Sequence, residues 1–556
     1  MRPTPRRSSV SSKIRPSAAV SRAPARTLSQ IGVSRPSENR TGCVLLASGP
    51  GPPSARPVCM LKVRQDECQD FARWYPDFCF RTIRKEKRSM HTRRSFLKGA
   101  VAATAAVAAG PTILVRDARA AGQLKILQWS HFVPAYDKWF DPWAKEWGSK
   151  HGVDVTVDHV GFADVVPRAT AEVAAQSGHD IHMFLGLASA FEEHVIDLAD
   201  VVTSLEKKYG KPVELARRST YNPFTKKQFA LSDMWVPDPG NYHKEVWTKI
   251  GMPNGPVTYD DLVKAAPEIK KVAPQMQIPI GVGLSQDIDS NMAVRNILWC
   301  HGGSIQDKDG NVVLNSPETL RALEYTKKLY SVGMTQAVLS WNAASNNQAF
   351  NAQETAYILN SISAYRTAQD NKLPVLENYF FTPALKGPTG IQLASEHVMS
   401  GYVVWKFSKN QDVAKEFLVA LVDASRDSML GSKLYNFPSF YGAAADPGTP
   451  PPKKQESGAA WIAAQCNKDP FGSAPADKLA LLAKSLPWST NLGYPGYANP
   501  AEGEMFDTYV ITDMFAKAAT GAMAPKDAML EANTRARQIF DKWRAKKMVG
   551  GGGKDK

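Results

Sequence analysis

From residue 123 onward, short apolar runs alternate with longer segments in which apolar side chains recur every three to four residues. The apolar runs that we predict as β-strands are 124–129, 153–157 and 180–185. The amphipathic segments that we predict as α-helices are 136–151 and 164–176. Strands and helices that alternate at this spacing predict parallel strand pairing with crossover helices. In such sheets, ligands bind at the carboxyl ends of the strands.

The pattern farther along the chain predicts a second α/β unit. Its predicted helices begin after an N-cap at Thr258 and at Pro317, and cover 412–422 and 525–543. The proline-rich stretch 446–454 is typical of a surface loop, and residues 546–556 are typical of a flexible tail. Helical spacing places Trp139, Trp143 and Trp147 on one face, which indicates that they pack in a core.

Positive charge is concentrated at the N-terminus. Residues 1–120 contain 23 Lys and Arg against 7 Asp and Glu, whereas the other 436 residues contain 45 and 46. A basic chain ordinarily indicates a nucleic-acid or anionic-membrane partner. Because the charge of the body is balanced, we expect no nucleic-acid partner. A body of this length exceeds what one hydrophobic core supports, so about two domains are expected.

A pattern typical of export signals begins at Met90. Arg93 and Arg94 precede Phe-Leu-Lys, an apolar run follows, and a small-residue cleavage motif ends at Ala120. This arrangement resembles the bacterial twin-arginine signal peptide. We therefore predict that residues 90–120 direct export through the twin-arginine translocase, with cleavage after Ala120. No cysteine stands at the cleavage site after the apolar run, so we expect a soluble periplasmic protein of a Gram-negative bacterium.

Residues 1–89 are rich in Arg, Ser and Pro and have no sustained helical or strand periodicity. This composition indicates disorder, and it also resembles an organellar transit peptide. We interpret the segment as a disordered extension with a misassigned start, because a complete export signal begins directly after it.

The body lacks the motifs that usually mark catalysis or cofactor binding. It has no G-x-S-x-G, no C-x-x-C, and no G-x-G-x-x-G after the first strand, so we expect neither an enzyme nor a cofactor. His179 and His182 suggest a metal site, but on a strand they would face opposite sides. Cys300 and Cys466 lie 166 positions apart, which is compatible with a disulfide or with two free thiols.

The order of several sequence blocks resembles the extracellular solute-binding proteins, the family that includes maltose-binding protein. The blocks that carry the resemblance are 177–181, 256–262, 315–318 and 406–418. Two blocks depart from the family pattern: the order of residues around Asn241 differs, and 350–360 has several unusual positions. The resemblance covers most of 123–545.

The resemblance implies an α/β, two-lobe periplasmic binding protein fold of type II, with a hinge and a ligand cleft between the lobes. Lobe 1 would comprise 123–236 and about 395–437. Lobe 2, with the C-terminal helices, would comprise 242–392 and about 438–545. The implied function is to capture a small solute and deliver it to the membrane permease of an ABC importer. We expect a monomer.

The body holds 12 of the 13 tryptophans and balanced charge, which suits a carbohydrate or polyol. Such solutes present flat apolar faces to aromatic rings and hydroxyls to polar side chains. Positions at strand ends and crossovers form the candidate ligand-binding set: Trp129, His131, Phe132, Gly186, Leu187, Trp235, Trp341, Asn360, Glu396, His397, Tyr494 and Tyr497.

Two other hypotheses stay open at the level of sequence. The same fold could bind a polyamine, iron, thiamine or a phosphodiester, because a fold does not determine its ligand. The pair Tyr494 and Tyr497 would suit iron. An exported hydrolase is the remaining alternative, since twin-arginine cargo is often folded before export.

Overall fold

The computed structural model describes residues 42–48, 58–64 and 122–552, which form two units. The N-terminal unit contains the strands Gly42–Ser48 (β1) and Val58–Arg64 (β2), paired antiparallel from Gly42 with Arg64 to Ser48 with Val58. The predicted signal peptide, including Arg93, Arg94 and the cleavage site after Ala120, lies outside the described residues. So does the rest of the 1–89 extension.

The second unit, the body, is mixed α/β. Its strands are Gly122–Trp129 (β3), Val153–Val160 (β4), Ile181–Phe184 (β5), Tyr221–Asn222 (β6), Lys227–Gln228 (β7), Met234–Val236 (β8), Gly240–His243 (β9), Ile280–Gly281 (β10), Tyr357–Leu359 (β11), Tyr379–Thr382 (β12), Ala394–Ser395 (β13), Val398–Met399 (β14), Gly401–Val404 (β15), Phe437–Pro438 (β16) and Ser489–Thr490 (β17). Its α-helices are Ala135–His151 (α1), Val165–Ala175 (α2), Ala199–Tyr209 (α3), Glu214–Thr220 (α4), Lys244–Lys249 (α5), Tyr259–Val272 (α6), Ile288–Cys300 (α7), Pro317–Gly333 (α8), Ser345–Asn351 (α9), Ser363–Asp370 (α10), Gln411–Asp423 (α11), Ser425–Gly431 (α12), Lys454–Asn467 (α13), Pro500–Asp507 (α14), Val510–Thr520 (α15) and Pro525–Ala545 (α16).

The elements predicted at the start of the body are confirmed, with ends that shift by a few residues. The predicted N-cap of α6 is also confirmed. The Thr258 hydroxyl accepts from Asp261 N at 3.2 Å, and the Asp261 carboxylate accepts from Thr258 N at 2.8 Å, which completes a capping box. The helices at 317–333, 411–423 and 525–545 agree with the remaining helix predictions.

The first large sheet has the strand order β15-β5-β3-β4. Strand β3 pairs parallel with β4 and β5, whereas β15 returns from much later in the chain and pairs antiparallel with β5. Helix α1 packs on this sheet, where the rings of Trp143 and Trp147 lie 5.3 and 5.1 Å from the ring of Phe417. The parallel strands end at Trp129, Val160 and Phe184, so the loops that follow them share one edge.

A second four-stranded sheet has the order β10-β11-β9-β12, and a three-stranded sheet has the order β14-β8-β16. The smaller sheet holds the segments through which the chain passes between the two larger ones. Strand β8 leads into β9 of the second sheet, and β14 leads back into β15 of the first. These three short strands therefore join the two α/β parts of the body.

Cys300 and Cys466 are free thiols, and both are buried. Burial raises the pKa of Cys300 to about 11 and that of Cys466 to about 12, so both thiols stay protonated. Within the described part of the chain, no helix has the length and apolar character needed to cross a lipid bilayer.

The expectation that His179 and His182 face opposite sides is wrong. Strand β5 begins only at Ile181, so His179 lies outside the alternating pattern. His179 Nδ1 is 2.5 Å from Glu172 Oε1, and His182 Nδ1 is 3.9 Å from Glu172 Oε2. The two imidazoles therefore share one carboxylate on α2.

Candidate functional site

A chain of buried side chains runs from the end of β3 to the start of α7. The rings of Trp129 and His131 have centroids 4.7 Å apart, and the His131 ring lies 5.0 Å from that of Tyr435, just before β16. Tyr435 and His397, just before β14, are 6.4 Å apart. His397 Nε2 lies 3.9 Å from Asp289 Oδ1 in the first turn of α7. This central chain, Trp129–His131–Tyr435–His397–Asp289, crosses between the two α/β parts of the body.

His397 is held between carboxylates. Its Nδ1 lies 3.1 Å from Asp238 Oδ1, while Asn296 Nδ2 donates to Asp238 Oδ2 at 3.1 Å. Burial alone would lower the pKa of His397, but the hydrogen bond to Asp238 and the charges of Asp289, Asp238 and Asp287 together raise it. The imidazolium form of His397 is thus favoured at the centre of the chain.

His131, in contrast, is neutral. Burial lowers its pKa to about 3, although contacts with Asn436 and Val133 oppose the shift. Val133 N donates to His131 Nδ1 at 2.9 Å, the same Nδ1 lies 3.0 Å from Val133 O, and His131 Nε2 lies 3.1 Å from Asn436 Oδ1. Asn436 Nδ2 has no hydrogen-bond acceptor within the described residues.

Four buried polar atoms in or directly beside the chain make no hydrogen bond within the described part of the protein: Trp129 Nε1, Tyr435 Oη, Asn436 Nδ2 and Asp289 Oδ1. A buried polar group without a partner costs about 1–3 kcal/mol. Such groups need an explanation in a native fold, and partners supplied by a bound molecule are one. Trp129 and Asp289 stand at opposite ends of the chain, so the atoms without partners are distributed over both α/β parts of the body.

A cavity of about 230 Å³ lies at the carboxyl ends of the first sheet's strands. Its lining combines the loops after β4 and β5 with the turn between α14 and α15: Phe162, Ala163, Val165, Val166, Pro167, Phe184, Leu185, Gly186, Leu187, Phe506, Asp507 and Tyr509. Burial raises the pKa of Tyr509 to about 12, and the charges of Asp287 and Asp507 add to the rise. Asp287, the N-cap of α7, therefore lies within electrostatic reach of the cavity wall.

Six residues of the predicted set lie in these two features. Trp129, His131 and His397 belong to the central chain, and the Phe132 ring packs edge-on against Trp129 at 4.7 Å. Gly186 and Leu187 line the cavity. A Cβ on Gly186 would lie 3.3 Å from Leu492 Cδ1, so this position is tightly packed.

Three other residues of the predicted set lie in the second α/β part or in the three-stranded sheet β14-β8-β16. Trp235 is buried in β8 with its ring 5.7 Å from that of Phe437. Trp341 is half-buried, and its carbonyl accepts from the Ser285 hydroxyl at 2.5 Å. Asn360 donates through Nδ2 to Asn347 Oδ1.

The structure does not bring Glu396, Tyr494 or Tyr497 to the central chain. Glu396 precedes His397 but faces the other way, since neighbouring residues of an extended segment alternate. The Tyr494 ring packs on Trp299 at 5.7 Å. The Tyr497 ring lies 5.3 Å from the guanidinium of Arg217 on α4, so the two tyrosines do not face a common site.

Sequence reasoning missed Asp289, Tyr435, Asn436 and Asp507. Asp289 has a local signal, because the Asp-Ile-Asp at 287–289 is a typical helix start, and the Asp287 carboxylate accepts from Asp289 N at 3.0 Å. Tyr435 and Asn436 have no such signal. They reach the site only because β16 pairs with β8, some 200 residues earlier.

Glu396 belongs instead to a buried charge cluster with Arg295 and Glu502. Arg295 Nη1 donates to Glu502 Oε2 at 3.3 Å, and Ser219 Oγ donates to Glu396 Oε1 at 3.1 Å. Burial raises the pKa of Glu396 to about 8 and that of Glu502 to about 7. One guanidinium thus faces two carboxyl groups that resist ionisation.

We expect the melting temperature of the protein to fall between pH 5 and pH 8, with a smaller fall in the Glu396→Gln variant. The folded state retains a proton on Glu396 that the unfolded state, with an ordinary pKa near ~4.3, releases. Stability is therefore greatest below the unfolded pKa and declines until pH exceeds the folded pKa. Glu416→Gln, an exposed position on α11, is the control. Identical pH slopes in wild type and Glu396→Gln, measured by circular dichroism, would refute this expectation.

The sequence matches the family of bacterial extracellular solute-binding proteins over residues 142–460, more than half of the chain. The chain belongs to this family. A binding protein of Brucella abortus (strain 2308) is 24% identical over 213 residues, 38% of this chain and 46% of that protein. An ABC transporter-binding protein of Deinococcus radiodurans is 24% identical over 240 residues, 42% and 55% of the two chains. The chain thus spans about half the length of the curated relatives that it matches.

Solved structures of solute-binding proteins share the fold. A sugar transporter of Arthrobacter chlorophenolicus with bound laminaribiose aligns with a TM-score of 0.61 at 16% identity, covering 75% of this chain and 99% of that one. A solute-binding protein of Agrobacterium radiobacter K84 in complex with ribitol aligns with a TM-score of 0.60 at 18% identity, covering 75% and 98%. These likenesses confirm the predicted α/β, two-lobe fold. The family and the structural neighbours are binding proteins.

Proposed function

We propose that the protein captures a small solute in the cleft between its lobes and delivers it to the membrane permease of an ABC importer. The observation that carries this proposal is the set of buried polar atoms without hydrogen bonds along the central chain, including one at each end. A solute in contact with Trp129 on one lobe and Asp289 on the other would supply their missing partners. The binding protein would act as a monomer and carry out no catalysis.

In this proposal, the small sheet β14-β8-β16 is the structural hinge between the two lobes. Its strands have only two or three residues each, so few backbone hydrogen bonds resist a rotation of one lobe against the other. A solute shifts the balance toward the closed form only if it binds that form better. Tyr435 and His397 lie directly beside these strands, so closure of the lobes would move both side chains at the site.

The solute that we propose is a carbohydrate or polyol. The site combines aromatic rings, an imidazolium and carboxylates, which match the apolar faces and hydroxyl rims of such molecules. The structural neighbours are described with bound laminaribiose and ribitol, which supports the same class. Export to the periplasm through the twin-arginine signal at Arg93 and Arg94 is part of the proposal.

A thermal-shift panel tests the proposed function. We expect at least one of maltose, laminaribiose, ribitol, sorbitol and tagatose to raise the melting temperature, because a ligand of the folded state stabilises it by about 2.7 kcal/mol at 100 times its Kd. Polyamines, thiamine and ferric citrate form the comparison set. A rise with that set alone would contradict the carbohydrate or polyol assignment, and no rise with any compound would contradict solute capture.

A further inference from the structure

The lining of the cavity at the carboxyl ends of the first sheet's strands includes one acidic residue, Asp507. Most of that wall is apolar, yet it includes the Asp507 carboxylate, which has no hydrogen bond or ion pair within the described residues. Burial raises the pKa of Asp507 to about 7, and the neighbouring charge of Glu504 adds to the rise. An acidic group in such a place lacks the cation that would stabilise its ionised form.

The charged groups around the cavity do not supply that cation. Asp287 and Asp289 stand at the start of α7, and His397 is already shared by Asp238 and Asp289. Lys542 is bound to Glu504 on α14, and Arg295, whose guanidinium lies 5.5 Å from the Phe506 ring, is paired with Glu502. Acidic groups therefore outnumber free cations on the elements that meet here, and the local potential favours a positively charged guest.

Aromatic side chains complete the surroundings. The rings of Phe162, Phe184, Phe506 and Tyr509 belong to residues that line the cavity. The face of an aromatic ring attracts ammonium groups, by about 0.5–2 kcal/mol according to exposure. A carboxylate together with several rings suits a protonated amine better than a hydroxyl, because the hydroxyl gains nothing from the excess negative charge.

We propose that the captured solute carries a protonated amine, and that this ammonium group binds in the cavity against Asp507, with the rest of the solute along the central chain. The chemical class is an amino sugar or another amine on a hydroxylated frame. This inference rests on the proposed function and narrows its solute. Asp289, nine-tenths buried and 3.9 Å from His397 Nε2, adds a second acidic group in the central chain.

Matched pairs of compounds test this inference, because the members of each pair differ in an amine against a hydroxyl. The pairs are glucosamine and glucose, galactosamine and galactose, and mannosamine and mannose, titrated by calorimetry at pH 7.5. We expect the amine of at least one pair to bind at least tenfold more tightly than its neutral partner. This preference should fall about tenfold in Asp507→Asn and stay unchanged in Asp527→Asn, an exposed carboxylate in the first turn of α16.

The outcomes separate the inference from the proposed function. Equal or tighter binding of the neutral members overturns the amine inference and leaves carbohydrate or polyol capture in place. A preference for amines that survives in Asp507→Asn overturns the assignment of the ammonium to this cavity. Absence of binding by every compound of these pairs and of the sugar panel overturns both. Melting curves of Asp507→Asn show whether the variant is folded before titration.

Discussion

Replacement of Arg295 by methionine is expected to lower the free energy of unfolding by about 3–5 kcal/mol, the usual effect of removing one partner of a buried ion pair. Arg295 is fully buried in α7 and donates from Nη1 to Glu502 Oε2 at 3.3 Å. Its guanidinium also lies 5.5 Å from the Phe506 ring. Without it, Glu396 and Glu502 would have no cation in the cluster. Urea denaturation followed by circular dichroism measures the effect.

The matched control is Arg321→Met. Arg321 is partly exposed and donates to Glu318 at 2.9 Å within one helix, so its loss should cost less than about 1 kcal/mol. The double variant Arg295→Met/Glu502→Gln should recover part of the lost stability, because it removes a carboxyl that the single variant leaves unpaired. Equal costs for Arg295→Met and Arg321→Met would contradict the role of the cluster.

Replacement of Trp129 by alanine is expected to weaken binding of the solute about 30-fold or more, the effect typical of a buried aromatic anchor, about 2 kcal/mol. Its indole packs on His131 and Phe132, and Nε1 is free to donate to a ligand. Trp129→Phe keeps a ring but removes the donor, and it should lose only a few-fold. Calorimetric titration with the solute that gives the largest thermal shift measures both variants.

Trp405→Ala is the control for this prediction. Trp405 is also buried with an unpaired Nε1 in the described structure, but it lies at the other end of the first sheet, where its backbone N donates to Asp180 O. Both alanine variants should lose about 3–5 kcal/mol of stability, as large core aromatics do. Only Trp129→Ala should lose affinity. A similar loss of affinity in Trp405→Ala would mean that the effect comes from general destabilisation.

Local periodicity was sufficient to predict the start of the body. Strands β3 and β5 are short apolar runs that are mostly or wholly buried, and the helices between the strands repeat their apolar side chains every three to four residues. Trp129 and His131, predicted at that edge of the sheet, belong to the central chain, and Gly186 and Leu187 line the cavity. These residues lie at or directly after strand ends in the sequence, so predicting their positions required no knowledge of contacts between distant parts of the chain.

The rest of the site depends on contacts between distant parts of the chain. Tyr435 and Asn436 reach His131 because β16 pairs with β8, and Asp289 reaches His397 because the chain crosses back at β14. Adjacent positions also differ in a way that sequence alone does not resolve: His397 faces the central chain, whereas Glu396 faces Arg295. Predicting that alternation requires the exact start of the crossover strand.

The most direct test of solute capture between the lobes is a crystal structure of the protein with the carbohydrate or polyol that raises its melting temperature most. Our account predicts an ordered solute between the lobes, within hydrogen-bond distance of Trp129 Nε1 or Asn436 Nδ2 on one side and of Asp289 on the other. A solute bound at the outer surface, without contacts to the residues of the central chain, would contradict our account.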